Sequence, residues 1–221
     1  MSTQTWDRTV DRLLDERIVA VVRLESQATC LPVAHALVEG GVRVIEMTMT
    51  TPGAVEAIPQ IQQALPEALV GAGSVLTEQD VDECMAAGAA FLVGPVLVPN
   101  VVRYALSKGI PFSPGTFTPS EAYAAHQLGV PLVKVFPAAR LGPKLISDLR
   151  APMPFLRLMP TGGITAETVE SFLAAGAAVV GAGSWLTPKD AVVSGRFDEI
   201  QARAAALREA VHGFAIGQER T

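Results

Sequence analysis

Short runs of β-branched and aliphatic residues alternate with Ala- and Leu-rich segments of helical period along the whole sequence. Eight such strand–helix units can be counted, and no linker-like segment interrupts them. The predicted strands are Ile18–Val22, Val42–Thr48, Leu69–Ala72, Phe91–Val93, Pro111–Ser113, Leu132–Phe136, Leu156–Met159 and Val179–Gly181. Helices are predicted near residues 5–16, 26–39, 53–65, 78–87, 99–108, 119–128, 142–149, 166–175 and 197–212.

Eight units within 221 residues match a (β/α)8 TIM barrel, whose reactive groups gather at the carboxyl ends of the strands. The main alternative is a doubly wound open sheet. Against it, no GxGxxG turn follows the first predicted strand, and polar residues end strands all along the chain. We therefore predict an α/β protein with one barrel domain over residues 1–221. An extra N-terminal helix would cover the barrel floor with Leu13 and Leu14.

Composition excludes several classes of partner and compartment. The net charge is -5 and the 17 basic residues are scattered, which argues against binding to nucleic acid or to an anionic membrane. The first 17 residues are too charged for a signal peptide, and no long uncharged apolar stretch predicts a membrane span, so a cytoplasmic location is expected. Cys30 and Cys84 lie on different predicted helices and suit buried free thiols.

The three histidines argue against a metal mechanism. All of them fall within predicted helices, away from strand ends and without carboxylate companions, at positions His35, His126 and His212. We therefore expect no metal and no cofactor.

Lys134 interrupts the apolar run Leu132-Val133-Lys134-Val135-Phe136. The two-residue period of a strand turns it to the side opposite its two valine neighbours, which in a barrel is the interior. Loss of hydration favours the neutral amine, the form that attacks a carbonyl carbon, so this position suits an imine-forming enzyme. The alternative is a lysine at an exposed strand edge.

Glu46 interrupts another predicted strand, Val42–Thr48, in the same way. It shares one face with Thr48, whereas Ile45 and Met47 lie on the other. A carboxylate at the end of an inner strand can shuttle protons when burial raises its pKa towards neutrality. The alternative is a structural ion pair with Lys134 or Arg23.

Anion-binding features follow three of the predicted strands. Thr161-Gly162-Gly163-Ile164 and Gly181-Ala182-Gly183-Ser184 follow the seventh and eighth, where phosphate-binding barrels commonly hold that group on backbone N–H donors. The planar guanidinium of Arg23 ends the first strand and suits a carboxylate or phosphate. The competing interpretation of Arg23 is a surface residue just beyond the strand.

With these residues assembled, the chain resembles the 2-keto-3-deoxy-6-phosphogluconate (KDPG) aldolase family, which includes the 4-hydroxy-2-oxoglutarate (KHG) aldolases. The resemblance covers about residues 15–190 and rests on several motifs in order. They are Val21-Val22-Arg23, Gly40 to Thr48, Gly71-Ala72-Gly73-Ser74-Val75-Leu76, Pro114-Gly115 with Thr118-Pro119, Val133 to Ala138, Pro160 to Ile164, and Gly183-Ser184-Trp185-Leu186.

The resemblance implies a class I aldolase, a carbon–carbon lyase of the Entner–Doudoroff pathway. Such an enzyme cleaves 2-dehydro-3-deoxy-6-phosphogluconate to pyruvate and glyceraldehyde 3-phosphate without metal or cofactor. At matching positions it implies Lys134 as the Schiff-base lysine, Glu46 as general acid/base and Arg23 as a substrate anchor. Other residues implied to bind substrate are Ser74, Pro95, Phe136 and Thr161, with Gly162, Gly163, Gly183 and Ser184 for phosphate. A homotrimer is also implied.

This sequence departs from the family pattern at Thr50, where many members carry Arg, at Gly94-Pro95-Val96, and at Ala139-Arg140. The departures leave the aldehyde product open between three substrates. These are 2-dehydro-3-deoxy-6-phosphogluconate, its phosphogalactonate counterpart, and 4-hydroxy-2-oxoglutarate, which would yield glyoxylate. A non-catalytic sugar-phosphate-binding barrel is the alternative outside enzymology.

Overall fold

A computed structural model describes residues 4–219 of the chain, with side chains described for residues 7–215. Residues 1–3 and 220–221, which the predicted domain includes, lie outside that part. The strands are β1 (Ile18–Val22), β2 (Val44–Thr48), β3 (Leu69–Gly73), β4 (Leu92–Val93), β5 (Phe112–Ser113), β6 (Gly115–Thr116), β7 (Val133–Val135), β8 (Leu158–Pro160) and β9 (Val180–Ala182).

Helices follow almost every strand. They are α1 (Gln4–Glu16), α2 (Cys30–Glu39), α3 (Ala54–Ala64), α4 (Glu78–Ala86), α5 (Pro99–Ser107), α6 (Pro119–Gln127), α7 (Gly142–Arg150), α8 (Val169–Ala174), α9 (Lys189–Val193) and α10 (Phe197–Glu219). Single 3-10 turns at Gln27–Thr29 and Ala138–Arg140 precede α2 and α7. None of the described helices is both long enough and apolar enough to cross a membrane.

The strands are parallel and close into a ring. One sheet has the order β5-β4-β3-β2-β1-β9 and the other β6-β7-β8. A bridge between Thr161 and Gly181 joins β8 to β9, and only Pro114, which has no N–H to donate, separates β5 from β6. We therefore treat β5 and β6 as one interrupted barrel strand. The predicted (β/α)8 barrel is confirmed.

Strand side chains alternate between two apolar layers. The inward layer contains Val19, Val44, Leu132, Met159 and Val179, and Leu13 of α1 packs into the same cluster. The outward layer packs against the helices and includes Ile45, Met47, Val133 and Val135. The N-terminal helix therefore closes the floor of the barrel, as predicted, and the two faces of β2 and β7 are those that the sequence predicted.

Most differences from prediction lie at the element ends, and two short elements, β6 and α9, were not predicted. Strand bounds shift by one or two residues, as in β8, which was expected at Leu156–Met159. Helix α9 was not predicted, because its five residues are too few to give a periodic signal. Helix α10 extends to Glu219, beyond the predicted end near residue 212.

Candidate active site

Two buried charged side chains meet inside the barrel. Glu46 of β2 and Lys134 of β7 are separated in the closed ring by β1, β9 and β8, so their contact crosses the interior. Lys134 Nζ lies 3.8 Å from Glu46 Oε1, and the two side chains are only 7% and 1% exposed. The exposed-edge interpretation of Lys134 is therefore wrong. The contact between Glu46 and Lys134 that the alternative interpretation named is present, and it is compatible with a structural or an acid/base role.

The Glu46 carboxyl group lies in an unusual electrostatic environment. Within the described part of the chain, neither of its oxygens has a hydrogen-bond partner. Burial raises the pKa of Glu46, and the positive charges of Lys134 and Arg23 only partly oppose that rise. The proton affinity of this carboxyl is therefore higher than that of an ordinary glutamate, as an acid/base group requires.

A glycine makes room for this carboxyl group. Gly73 ends β3 and pairs in register with Thr48 of β2. A Cβ atom at position 73 would lie 2.5 Å from Glu46 Cδ and 2.6 Å from Cγ, and closer still to Oε1. Only glycine therefore allows Glu46 its observed position beside Lys134.

An open cavity of about 730 Å³ lies at the carboxyl ends of β1, β2, β7, β8 and β9. Phe136 connects it to the buried pair, because Lys134 Nζ lies 5.5 Å from the centre of the Phe136 ring. The predicted site residues that line this cavity are Arg23, Phe136, Thr161, Gly162, Gly183 and Ser184. Arg23 is exposed on its wall, so the surface description and the cavity description of this residue both hold.

Three predicted substrate residues lie at the same end of the barrel but not on the cavity wall. Gly163 directly follows Gly162, whereas Ser74 and Pro95 follow β3 and β4. Ser74 has a positive φ of 63°, which is uncommon outside glycine. The predicted substrate- and phosphate-binding residues therefore share the carboxyl-end face, whereas Lys134 and Glu46 lie deeper in the barrel and do not line the cavity.

Backbone hydrogen bonds fix the first glycine turn. Ala138 N donates to Thr161 O at 2.8 Å, and Ala139 N donates to Gly162 O at 3.0 Å. Gly162 and Gly163 have φ values of 93° and 75°, which glycine adopts without strain. Within residues 4–219, no hydrogen bond uses the amide N–H of the exposed Gly163 in this turn, nor that of Ser184 or Trp185 in the second turn. These donors are available to an anion.

Sequence reasoning missed several cavity residues, among them Glu25, Ser26, Thr29 and Lys189. They lie in loops or at the start of the short helix α9, where no periodicity marks a side chain as facing a site. The importance of Gly73 was also missed, although Gly73 lies within the motif Gly71-Ala72-Gly73-Ser74-Val75-Leu76. No group of metal-ligating side chains occurs among the described residues. Both cysteines are free and buried, which confirms the prediction.

Comparison with known proteins gives a consistent result. Residues 10–203 match the family model described as KDPG and KHG aldolase. The 2-dehydro-3-deoxy-phosphogluconate aldolase of Dickeya dadantii is 39% identical over 95% of this chain and 98% of its own. The KHG/KDPG aldolase of Escherichia coli K12 is 38% identical with the same coverage.

A solved structure extends the similarity to three dimensions. The KDPG aldolase of Legionella pneumophila, with pyruvate captured as a covalent carbinolamine intermediate, superposes with a TM-score of 0.82 at 30% identity. The match covers 90% of this chain and 97% of that protein. Sequence, fold and the buried lysine–glutamate pair therefore agree, and the chain belongs to the KDPG and KHG aldolase family of lyases.

Proposed function

We propose that this chain is a class I aldolase that cleaves 2-dehydro-3-deoxy-6-phosphogluconate to pyruvate and glyceraldehyde 3-phosphate through a Schiff base on Lys134. The observation that carries the proposal is the buried contact of 3.8 Å between Lys134 Nζ and Glu46 Oε1. A protein that only binds a sugar phosphate needs neither group in an apolar interior. The names of the relatives support the same reaction.

The first half of the proposed reaction makes the imine. The neutral amine of Lys134 attacks the C2 ketone and gives a carbinolamine. Glu46, directly or through a water molecule, donates a proton to the departing hydroxyl, which leaves as water and yields the protonated imine. The raised pKa of Glu46 suits this step, because the carboxyl must carry a proton near neutral pH.

The second half breaks the carbon–carbon bond. Loss of the C4 hydroxyl proton turns that oxygen into the aldehyde carbonyl, and the electrons of the C3–C4 bond move towards the imine nitrogen to form an enamine. Glyceraldehyde 3-phosphate then leaves. Protonation of the enamine at C3 and hydrolysis of the resulting imine release pyruvate and regenerate the amine, with Glu46 again carrying protons.

The remaining predicted residues would hold the two ends of the substrate. Ser74 and Pro95 would contact the pyruvyl end, Phe136 and Thr161 would line the pocket, and Arg23 would pair with an anionic group of the substrate. The phosphate would lie at Gly162, Gly163, Gly183 and Ser184 and accept hydrogen bonds from the unused amides of both turns. Binding energy from this remote group would position the scissile bond.

Proposals about domain, location, assembly and ligands accompany this one. We propose that the whole chain acts as one domain in the cytoplasm and assembles as a homotrimer, with a sugar-acid phosphate and pyruvate as its ligands. Exposed apolar side chains at the carboxyl-end loops, Leu76, Val96 and Phe117, support an assembly surface. Sedimentation equilibrium tests the trimer, and a monomer at micromolar concentration would contradict it.

Pyruvate release from a panel of three substrates tests the proposed reaction. The panel is the phosphogluconate-derived substrate, its phosphogalactonate counterpart and 4-hydroxy-2-oxoglutarate. We expect the highest kcat/KM on the first and measurable turnover on the third, in keeping with the name of the Escherichia coli relative. Lys134→Arg should abolish turnover on all three. Phosphate-ligand binding without cleavage of any substrate would favour the non-catalytic alternative.

A further inference from the structure

An ion pair spans the cavity wall close to the second glycine turn. Lys189 begins α9, six residues after Gly183, and Glu25 lies three residues after the end of β1. Lys189 Nζ lies 2.5 Å from Glu25 Oε1. Both residues line the same cavity as Gly162 and Ser184, although neither belongs to the motifs that mark the family. A second cation therefore accompanies Arg23 in this cavity.

The contact between Lys189 and Glu25 can be broken at little cost in free energy. Its side chains are 75% and 67% exposed, and exposed ion pairs contribute little to stability, so breaking this contact costs little. A phosphate monoester carries up to two negative charges near neutral pH and offers three acceptor oxygens, whereas the Glu25 carboxylate carries one charge. A phosphate in this cavity would therefore compete effectively with Glu25 for the ammonium group.

We propose that Lys189 is a specificity-determining residue that binds the distal phosphate of the substrate, and that Glu25 is the internal carboxylate which the phosphate displaces. The inference rests on the proposed aldolase function and adds to it a basis for preferring phosphorylated 2-keto acids. Lys189 takes no part in the bond-breaking steps, since a phosphate at the far end of the substrate lies several bonds from C3–C4. Lys189 therefore affects KM, through substrate binding, rather than kcat.

Kinetics on two substrates tests the role of Lys189. Lys189→Ala should raise KM for 2-dehydro-3-deoxy-6-phosphogluconate about two- to fivefold, the loss of one exposed charge pair with the phosphate, and leave kcat nearly unchanged. KM for 4-hydroxy-2-oxoglutarate, which has no phosphate, should stay unchanged. Lys189→Arg should restore most of the binding. Lys144→Ala is the matched control, because Lys144 forms a similar exposed pair with Asp148 at 2.8 Å outside the cavity.

Glu25→Gln tests the exchange of partners and should act in the opposite direction. With the competing carboxylate gone, KM for the phosphorylated substrate should fall about two- to fivefold, again without effect on the unphosphorylated one. Inorganic phosphate, titrated by calorimetry, gives a readout that needs no turnover. Its affinity should fall in Lys189→Ala and rise in Glu25→Gln.

The outcomes separate this inference from the proposed reaction. Equal effects of Lys189→Ala on both substrates, or no effect on either, would overturn the role of Lys189. A fall in phosphate affinity in Glu25→Gln would overturn the exchange. If the unmodified enzyme cleaves neither substrate, the proposed function fails, and the phosphate titrations alone decide whether Lys189 and Glu25 bind phosphate as inferred.

Discussion

Replacing Gly73 with alanine should misplace the proposed acid/base group without removing it. The new methyl carbon would lie 2.5 Å from Glu46 Cδ, whereas non-bonded carbon atoms pack at about 3.5–4.0 Å. The carboxyl group must therefore move by about 1 Å or more. That shift is about a quarter of the 3.8 Å that separates Glu46 Oε1 from Lys134 Nζ.

A displacement of this size can reduce a rate by about a hundredfold, because the proton must be delivered along a narrow range of directions. We expect kcat for pyruvate release to fall by about that factor in Gly73→Ala, together with a loss of about 1–3 kcal/mol of stability from overpacking. The trapped pyruvate adduct should still form on Lys134, only more slowly. Steady-state kinetics and thermal denaturation measure the two effects separately.

A neighbouring glycine in the same strand provides the matched control. A Cβ atom at Gly71, the register partner of Glu46, would have three atoms of Phe91 as its nearest neighbours, each at 2.6 Å, whereas the nearest neighbours of a Cβ at Gly73 all belong to Glu46. Gly71→Ala should therefore lose comparable stability while keeping kcat within about threefold of the unmodified enzyme. If Gly73→Ala keeps full kcat, or if both variants lose activity equally, the exact placement of Glu46 does not limit the reaction and the reasoning is refuted.

Three further measurements follow from the structure. The protonated carboxyl of Glu46 is the proposed proton donor in imine formation, so loss of its proton should lower kcat/KM. Because burial raises the pKa of Glu46, this decline with rising pH should lie above pH 4.5, and a decline at the ordinary carboxyl value would contradict the reasoning. Gly163→Ala combines a φ of 75° with a clash on the Ala139 methyl group and should lower Tm by about 5–10 °C. Because burial raises the pKa of Cys84 to about 12 and that of Cys30 to about 11, a thiol reagent at pH 8 should modify neither in the native protein and both after denaturation.

Strand period and chain order predicted much of this fold and site. The isolated charges in two apolar strands predicted inward-facing Lys134 and Glu46, because the alternation of strand side chains is a local rule that folding into a barrel preserves. The glycine turns after the last two strands were predicted by a different rule, their place in the order of the eight strand–helix units. The first rule needs only a few consecutive residues, and the second needs the count of units along the chain.

Contacts between distant loops could not be predicted in this way. The pairing of Glu25 with Lys189 joins residues far apart in sequence, and its formation depends on the barrel closing β1 against β9. The space that Gly73 leaves for Glu46 likewise depends on the register between β2 and β3. Such contacts are set by tertiary geometry, and a single sequence carries no local signal for them.

Trapping of the imine tests the central claim most directly. Borohydride reduction in the presence of pyruvate should leave a stable adduct, and mass mapping of the digested protein should locate it on Lys134 alone. Lys144, exposed on α7, is an internal control in the same digest and should stay unmodified. An adduct on another lysine, or none at all, would contradict a Schiff-base mechanism at the buried pair with Glu46.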